Sequence, residues 1–235
     1  MTQHEWLIGT DPAALLVEVL GGCSQRKLRL FVCACARQLW ERFRDPRSRR
    51  AVEVGERFAD DQASEDERQA AWTAALEAQA DATWDATLEA QAAAWTVRAD
   101  VTEVAARVIG YVARLWARRV ALGVACKGLS GEAVREARAA ADLVARARQC
   151  YLLRDVFGNP FRLPAADPRW LNWHGGTVRH IARAIYQERR FDEMPVLADA
   201  LDDAGCDDAI VLDHCRNGGT HVRGCHVLDL LLGKE

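Results

Sequence analysis

The chain has 235 residues, of which 50% are hydrophobic and 28% are charged, and its formal net charge at pH 7 is −3. This length is enough to bury a hydrophobic core, and so small a net charge creates no overall field that would attract nucleic acid or an anionic membrane. The opening MTQHEWLIGTDP lacks the basic and apolar regions of a secretory signal, and no apolar run reaches the roughly 18 residues of a membrane helix. We therefore expect a cytoplasmic protein whose eight cysteines stay reduced.

The first part of the chain, up to residue 157, predicts a body of consecutive helices. Thr10 or Asp11 is suited to cap a helix that has Pro12 at its first position, and Ser24 is suited to cap the next one. Ser64, three residues before Glu67, has the spacing of a capping box. Apolar residues at three- and four-residue spacing predict the other helices of this body, over 24–43, 51–68, 101–123 and 130–157.

An alanine-rich stretch, residues 70–97, interrupts this body with an internal repeat. LEAQA at 76–80 returns at 88–92, and Trp72 returns as Trp84. Alanine is the best helix former, so the stretch is predicted to be helical, as one long helix or as a hairpin. We interpret it as a helical hairpin produced by tandem expansion, whose Trp72, Trp84 and Trp95 form a stripe suited to self-association.

The amino-acid composition changes after residue 157, where prolines and tryptophans become frequent. Residues 158–176 are predicted to be a connector, because proline there excludes a continuous helix. Residues 177–235 are predicted to form a compact helical cap on the N-terminal body of residues 1–157. Within it, Asp207 or Asp208 is suited to be the N-cap of the short helix AIVLDHC. The whole is expected to be all-α, a bundle-like or orthogonal array of about eight to ten helices by average helix length.

The last thirty residues concentrate cysteine and histidine more than any other part of the chain. His214, Cys215, His221 and Cys225 are the four most plausible metal ligands, since thiolate and imidazole suit zinc. Their spacing lacks the Cys-x2–4-Cys knuckle of structural zinc sites. The leading interpretation is therefore packed thiols with no cofactor, and zinc is the alternative.

Two other functional alternatives arise from the residues. Cys215 or Cys225 could act as a nucleophile with His221 or His174 as its base, which requires contact in space and a lowered thiol pKa. The arginines between Arg42 and Arg50 could contact the phosphates of a nucleic acid, although such a run is usually a solvated face. No phosphate-binding loop, dinucleotide fingerprint or nucleophile elbow is present.

The absence of catalytic motifs favours a non-enzymatic helical module that binds another protein or a second copy of itself. Metal binding through the terminal histidines and cysteines is the alternative function, and nucleic-acid binding through Arg42–Arg50 is the weaker one. No small-molecule substrate is indicated, and no membrane association is expected.

Several segments at both ends of the chain together carry a resemblance to a known family. They are EWL and TDP near the start, RKLRLFVCACARQLW, DPRSRRAVEVGERFAD, LLRDVFGNPFR, LADALDDAGCDDAIVLDHC and HVRGCHVLDLLLGK. They resemble an uncharacterised family of bacterial proteins found in multiple copies in planctomycete-type genomes. The resemblance omits the alanine-rich stretch, which it marks as a variable insert. It implies a coherent module and transfers no catalytic residues, because no activity is established for that family.

Overall fold

The computed structural model describes residues 1–83, 86–162, 164–217 and 219–235, and within these ranges the chain is helical, with no β-strand. The prediction of an all-α fold is confirmed. The described residues form thirteen α-helices, more than the sequence predicts. Two of the additional ones, α1 (Gln3–Ile8) and α9 (Pro168–Asn172), are too short for apolar periodicity to reveal them. In these ranges no helix combines the length and apolarity that a membrane span needs.

The chain divides into two compact units. The central unit comprises Gly9–Cys150, and the C-terminal unit comprises Tyr151–Glu235 together with Met1–Ile8. The division falls inside a continuous helix, α8 (Gly131–Phe157), where no glycine or proline marks it in the sequence. The proline- and tryptophan-rich segment 158–176, which the sequence suggests as a connector, belongs to the C-terminal unit.

Helices of the central unit begin at the caps that the sequence indicates. Asp11 accepts a hydrogen bond from Ala13 N at 3.1 Å, Ser24 from Lys27 N at 3.2 Å and Ser64 from Glu67 N at 3.1 Å. Each bond satisfies one of the backbone donors left open at a helix start. The helices are α2 (Pro12–Leu20), α3 (Gln25–Arg37), α4 (Pro46–Ala59), α5 (Glu65–Asp81), α6 (Thr87–Trp95), α7 (Thr102–Ala125) and the first part of α8, with a 3-10 helix at Trp40–Arg42.

Helix α4 begins five residues earlier than the helix that the sequence predicts over 51–68. Asp45 is its N-cap and accepts from Arg47 N at 2.8 Å, and Pro46 occupies the first turn. This is the same local signature that Asp11 and Pro12 provide for α2.

The alanine-rich stretch forms two helices, α5 and α6, that pack against each other. Buried alanines, among them Ala75 and Ala94, give the pair a common apolar cluster, and Trp72 packs against its edge. Trp95 is only 8% exposed and lies against Tyr111 within the central unit. Trp84, the third residue of the predicted stripe, lies outside the described residues.

One buried cation organises the segment that follows α6. The guanidinium of Arg29, a residue that is only 4% exposed, donates to the carbonyl oxygens of Thr96, Arg98 and Ala99 at 2.8–3.1 Å. These carbonyls follow a helix C-terminus, where acceptors lack intrahelical partners. Helix α4 approaches the same point, because a Cβ at Gly55 would lie 2.7 Å from the Thr96 oxygen.

The C-terminal unit has its own apolar core and a further predicted cap. Leu197, Val211 and Leu228 come from three different helices and are fully buried together. Asp208 accepts from Ile210 N at 2.9 Å, which confirms it as an N-cap. The helices are α1, the end of α8, α9, α10 (Thr177–Glu188), α11 (Met194–Asp203), α12 (Ala209–Arg216) and α13 (His226–Leu232), with 3-10 helices at Trp173–Gly175 and Phe191–Glu193.

The first helix of the chain is held within this C-terminal unit. Trp6 of α1 is 1% exposed, and its carbonyl oxygen accepts hydrogen bonds from Nε and Nη2 of Arg154 at 3.0 and 2.7 Å. Arg154 lies near the end of α8, so α1 is anchored beside the last turn of that helix. The neighbouring residue, Asp155, belongs to the candidate functional site.

Candidate metal centre

Four side chains of the C-terminal unit meet at one point. Asp155 comes from the last turn of α8, His214 from α12, His221 from the segment between α12 and α13, and Cys225 from the N-cap of α13. Each offers one potential metal-ligand atom, and these atoms all lie within 4.8 Å of one another. The four types are a carboxylate, two imidazoles and a thiol, all of which bind zinc in proteins.

The distances between the four atoms have the scale of a metal coordination shell. Oδ1 of Asp155 lies 2.8 Å from Nδ1 of His221 and 3.1 Å from Nε2 of His214. Sγ of Cys225 lies 3.1 Å from Nε2 of His214 and 4.0 Å from Nδ1 of His221. Bonds of about 2.0–2.3 Å at tetrahedral angles would place zinc ligands roughly 3.3–3.6 Å apart. Three of the measured distances are shorter than this and one is longer, so a zinc ion among the four atoms would require small shifts of these side chains.

A tight turn brings His221 and Cys225 to the same side of the site. Cys225 N donates to Val222 O at 3.0 Å, and Gly224 has φ +88, a left-handed conformation that favours glycine. Val222 N donates to Oδ2 of Asp155 at 2.9 Å. This bond fixes the carboxylate so that its other oxygen, Oδ1, faces the two imidazoles.

Burial and neighbouring charges shift the pKa values of Asp155 and Cys225 in opposite directions. Burial raises the pKa of Asp155, but the hydrogen bonds and charges of His214 and His221 outweigh it and hold this pKa well below its usual range. Burial and the Asp155 carboxylate raise the pKa of Cys225 well above its usual value, although the backbone N–H groups that begin α13 oppose this. Cys225 without a cation is therefore a protonated thiol, and a divalent cation would favour its thiolate.

A further imidazole, that of His226, packs beside the four ligands. Its Nδ1 lies 3.1 Å from the backbone oxygen of Asp155, and since a carbonyl only accepts, Nδ1 donates. Its ring lies edge-on to His214, with 4.2 Å between centroids. Gly158, at φ +67, allows the ring so close that an added Cβ would lie 2.9 Å from its Cδ2. His226 therefore supports the orientation of two neighbouring ligands.

His221 has one nitrogen whose surroundings are unusual. Its Nε2 is buried and has no hydrogen-bond partner among the described residues. The second nitrogen of a metal-bound imidazole usually donates to a carboxylate or carbonyl. The hydrogen bonding that orients this ring therefore comes from the atoms around Nδ1, which are Oδ1 of Asp155 and Sγ of Cys225.

Three of the four predicted ligands, His214, His221 and Cys225, are brought together, and Cys215 is not. Adjacent residues on a helix point about 100° apart, so Cys215 turns away from the point that His214 faces. Cys215 is fully buried, and this burial together with nearby Cys206 raises its pKa to about 12. Asp155 completes the group instead. Sequence reasoning missed it because it lies on another helix, 66 residues before His221.

The alternative of a cysteine nucleophile gains no support from this geometry. A reactive cysteine needs a lowered pKa, whereas burial raises the pKa of both Cys215 and Cys225. His174, a predicted base, lies in the 3-10 helix before α10 and is not part of the cluster.

The arginines of the Arg42–Arg50 segment have acidic neighbours within the central unit. Arg47 pairs with Asp45 at 2.7 Å and with Asp81 at 2.8 Å. Arg42 lies 4.0 Å from Glu89 of α6. These pairs offset part of the positive charge that phosphate contacts would need, and binding of nucleic acid by this segment stays a prediction.

A cleft of about 400 Å³ opens beside the cluster. Asp155, His214 and His221 line it, whereas Cys225 does not. The side chain of His214 is 18% exposed, the largest value for the two histidines and Asp155. The remaining lining residues are Trp6, Leu7, Tyr151, Arg154, Gly158, Asn159, Ile210, Asp213, Asn217, Gly219, Thr220 and His226.

The chain was compared with protein-family models, with curated proteins and with solved structures. None of these comparisons gave a match. The resemblance to the planctomycete-type family therefore stays a prediction, and a functional argument depends on the chemistry of the site itself.

Proposed function

We propose that this chain is a zinc-binding protein whose ion is held by Asp155, His214, His221 and Cys225. The observation that supports this most is the convergence of four ligand atoms from separate segments of the C-terminal unit. A buried carboxylate needs hydrogen-bond partners such as the two imidazoles, but that need does not explain the thiol of Cys225 beside them. The proposal keeps three of the ligands that the sequence indicates and replaces Cys215 with Asp155.

The donor set selects among metals. Calcium and magnesium prefer shells of six or more oxygens, and iron–sulfur clusters use mainly cysteine thiolates. One oxygen, two imidazole nitrogens and one sulfur suit a tetrahedral zinc ion. Two anionic ligands and two neutral ones would also balance the charge of Zn²⁺, which reduces the cost of burying the ion.

Packed, metal-free side chains explain the geometry less well. Nε2 of His214 lies 3.1 Å from both Oδ1 of Asp155 and Sγ of Cys225. A single N–H shared between the two atoms forms two bent and weaker hydrogen bonds. If Nε2 instead accepts from the thiol, it cannot donate to the carboxylate. A zinc ion bound to all three atoms removes this competition.

Zinc at this point would join α8, α12 and the start of α13. A metal bound only by the folded chain adds its binding free energy to the stability of the fold. The proposed role is therefore to stabilise the C-terminal unit, with the ligands supplied by the last turns of α8 and α12 and by the segment that leads into α13.

Titration of the metal-stripped chain with zinc, in competition with a chromophoric chelator, tests this proposal. We expect saturation at about one ion per chain, as a four-ligand site requires, and a higher melting temperature of the loaded protein. The Cys225→Ala variant should lose tight binding. Stoichiometric binding that survives this variant, or no binding by the wild type, would contradict the proposal.

A further inference from the structure

We infer that the protein ligands leave one side of the metal accessible from the cleft beside it. Through this cleft a small oxygen-donor anion, such as a carboxylate or a hydroxamate, reaches the ion. This inference rests on the proposed zinc site and deepens it, since it distinguishes a metal that binds external ligands from one that only supports the fold. Four protein ligands complete a tetrahedral shell, so an external anion would bind as a fifth donor on the side of the ion that faces the cleft.

The first argument is the asymmetric placement of the four ligands. Asp155, His214 and His221 all line the cleft, and Cys225 lies behind them, fully buried. An ion among the four would therefore face the cleft through the carboxylate and the two imidazoles. On this side of the ion, the ring of His214 is the ligand most exposed to solvent.

The second argument is the size and chemistry of the cleft. Its volume of about 400 Å³ lies within the range of small-molecule sites. Trp6, Leu7 and Ile210 supply apolar surface, and Arg154 and Asp213 supply one charge of each sign. The apolar walls suit a ligand with a small apolar body, and the metal would attract its anionic head.

The third argument is that the walls near the metal are held in place. Arg154 is fixed by its two hydrogen bonds to Trp6 O, and His226 is fixed by Asp155 O and by its close contact with Gly158. A preformed wall lowers the ordering cost of binding a ligand. A metal reached in this way could polarise the bound oxygen as a Lewis acid.

The test uses the full chain loaded with cobalt(II), which substitutes for zinc and reports its coordination in visible absorption. Acetohydroxamate is the probe. We expect the intense bands of a four-coordinate ion to weaken and shift as the hydroxamate binds, with the band of the cobalt–thiolate bond retained. Bands that do not change at saturating probe would overturn the inference. Failure of the chain to bind cobalt at all would contradict the proposed metal site instead.

A pair of variants tests whether the probe enters through the cleft. Leu7→Trp adds bulk to the cleft wall, and Val196→Trp places the same residue on α11 away from the cleft. Both native residues are 53% exposed. We expect Leu7→Trp to weaken hydroxamate binding without changing the cobalt spectrum of the unliganded protein, and Val196→Trp to change neither. Equal affinity in the two variants would contradict the cleft as the route.

Discussion

Oδ1 of Asp155 lies 2.8 Å from Nδ1 of His221, although the two residues are 66 positions apart in the chain. The backbone N–H of Val222 holds the other carboxylate oxygen, so one buried acid contacts two successive residues of the segment between α12 and α13. This contact connects the end of α8 to the turn that carries Cys225. The proposed metal site depends on this contact.

The two neighbouring cysteine candidates, Cys215 and Cys225, should behave differently. Cys225→Ala removes a ligand and should abolish tight zinc binding, because three remaining ligands hold zinc less well than four. Cys215→Ala should leave the zinc affinity unchanged and cost about 1 kcal/mol of folding stability, the usual cost of a small core truncation. Chelator competition and denaturant unfolding measure the two effects. The opposite pattern would restore the ligand set that the sequence predicts.

Replacing Asp155 with Asn should weaken both the metal site and the fold. The amide keeps the shape but removes the negative charge that His214 and His221 contact, and removing one partner of a buried charged group costs about 3–5 kcal/mol. Thermal unfolding and zinc titration are the measurements. Asp213→Asn is the matched control, since Asp213 is exposed, lines the same cleft and is not in the cluster. Similar losses in the two variants would contradict a special role for Asp155.

In the central unit, Arg29→Met should lower the free energy of unfolding by about 3 kcal/mol or more. Hydrogen bonds to a charged group contribute about 1.5–3 kcal/mol each, and the variant leaves the carbonyl oxygens without their donor. Urea unfolding measures this change. Arg107→Met is the control, because the Arg107 side chain is 61% exposed and its ion pair with Glu103 lies on the surface of the same helix. Equal stability of the two variants would show that the Arg29 contacts contribute little.

Thiol reagents should distinguish the cysteines by exposure. Cys126 is the exposed cysteine, and Cys23 is half-buried with a pKa raised by burial. The other six are buried, and burial raises the pKa of Cys35, Cys206, Cys215 and Cys225. Since the thiolate is the reactive form, one fast thiol is expected in the native protein. Cys126→Ser should remove the fast phase and Cys23→Ser should keep it; a fast phase from a buried cysteine would contradict this burial pattern.

Local signals in the sequence predict much of the fold. The caps at Asp11, Ser24, Ser64 and Asp208 are readable because a cap and the backbone it satisfies lie within three residues. The same kind of signal at Asp45 and Pro46 marks the start of α4, which the periodicity of the apolar residues placed too late. The boundary inside α8 leaves no such mark, because a continuous helix needs no breaking residue.

The site is less accessible to sequence reasoning than the helices. His214, His221 and Cys225 lie close together in the sequence, so their residue types are enough to select them. Cys215 is a suitable residue type, but its side chain points away from the cluster. That direction is set by its position in the helical turn, which the residue type does not reveal. Asp155 has the right direction and lies in a distant segment, and a single sequence contains no signal that joins it to the cluster.

The metal content of the purified protein tests the central claim most directly. The chain is produced without a metal-binding tag, dialysed against metal-free buffer and analysed for its elements, beside the His214→Ala/Cys225→Ala double variant prepared in the same way. The account predicts about one zinc ion per chain for the wild type, as a four-ligand site requires, and almost none for the variant. A folded wild-type chain that contains no zinc and does not take it up when zinc is supplied would contradict the account.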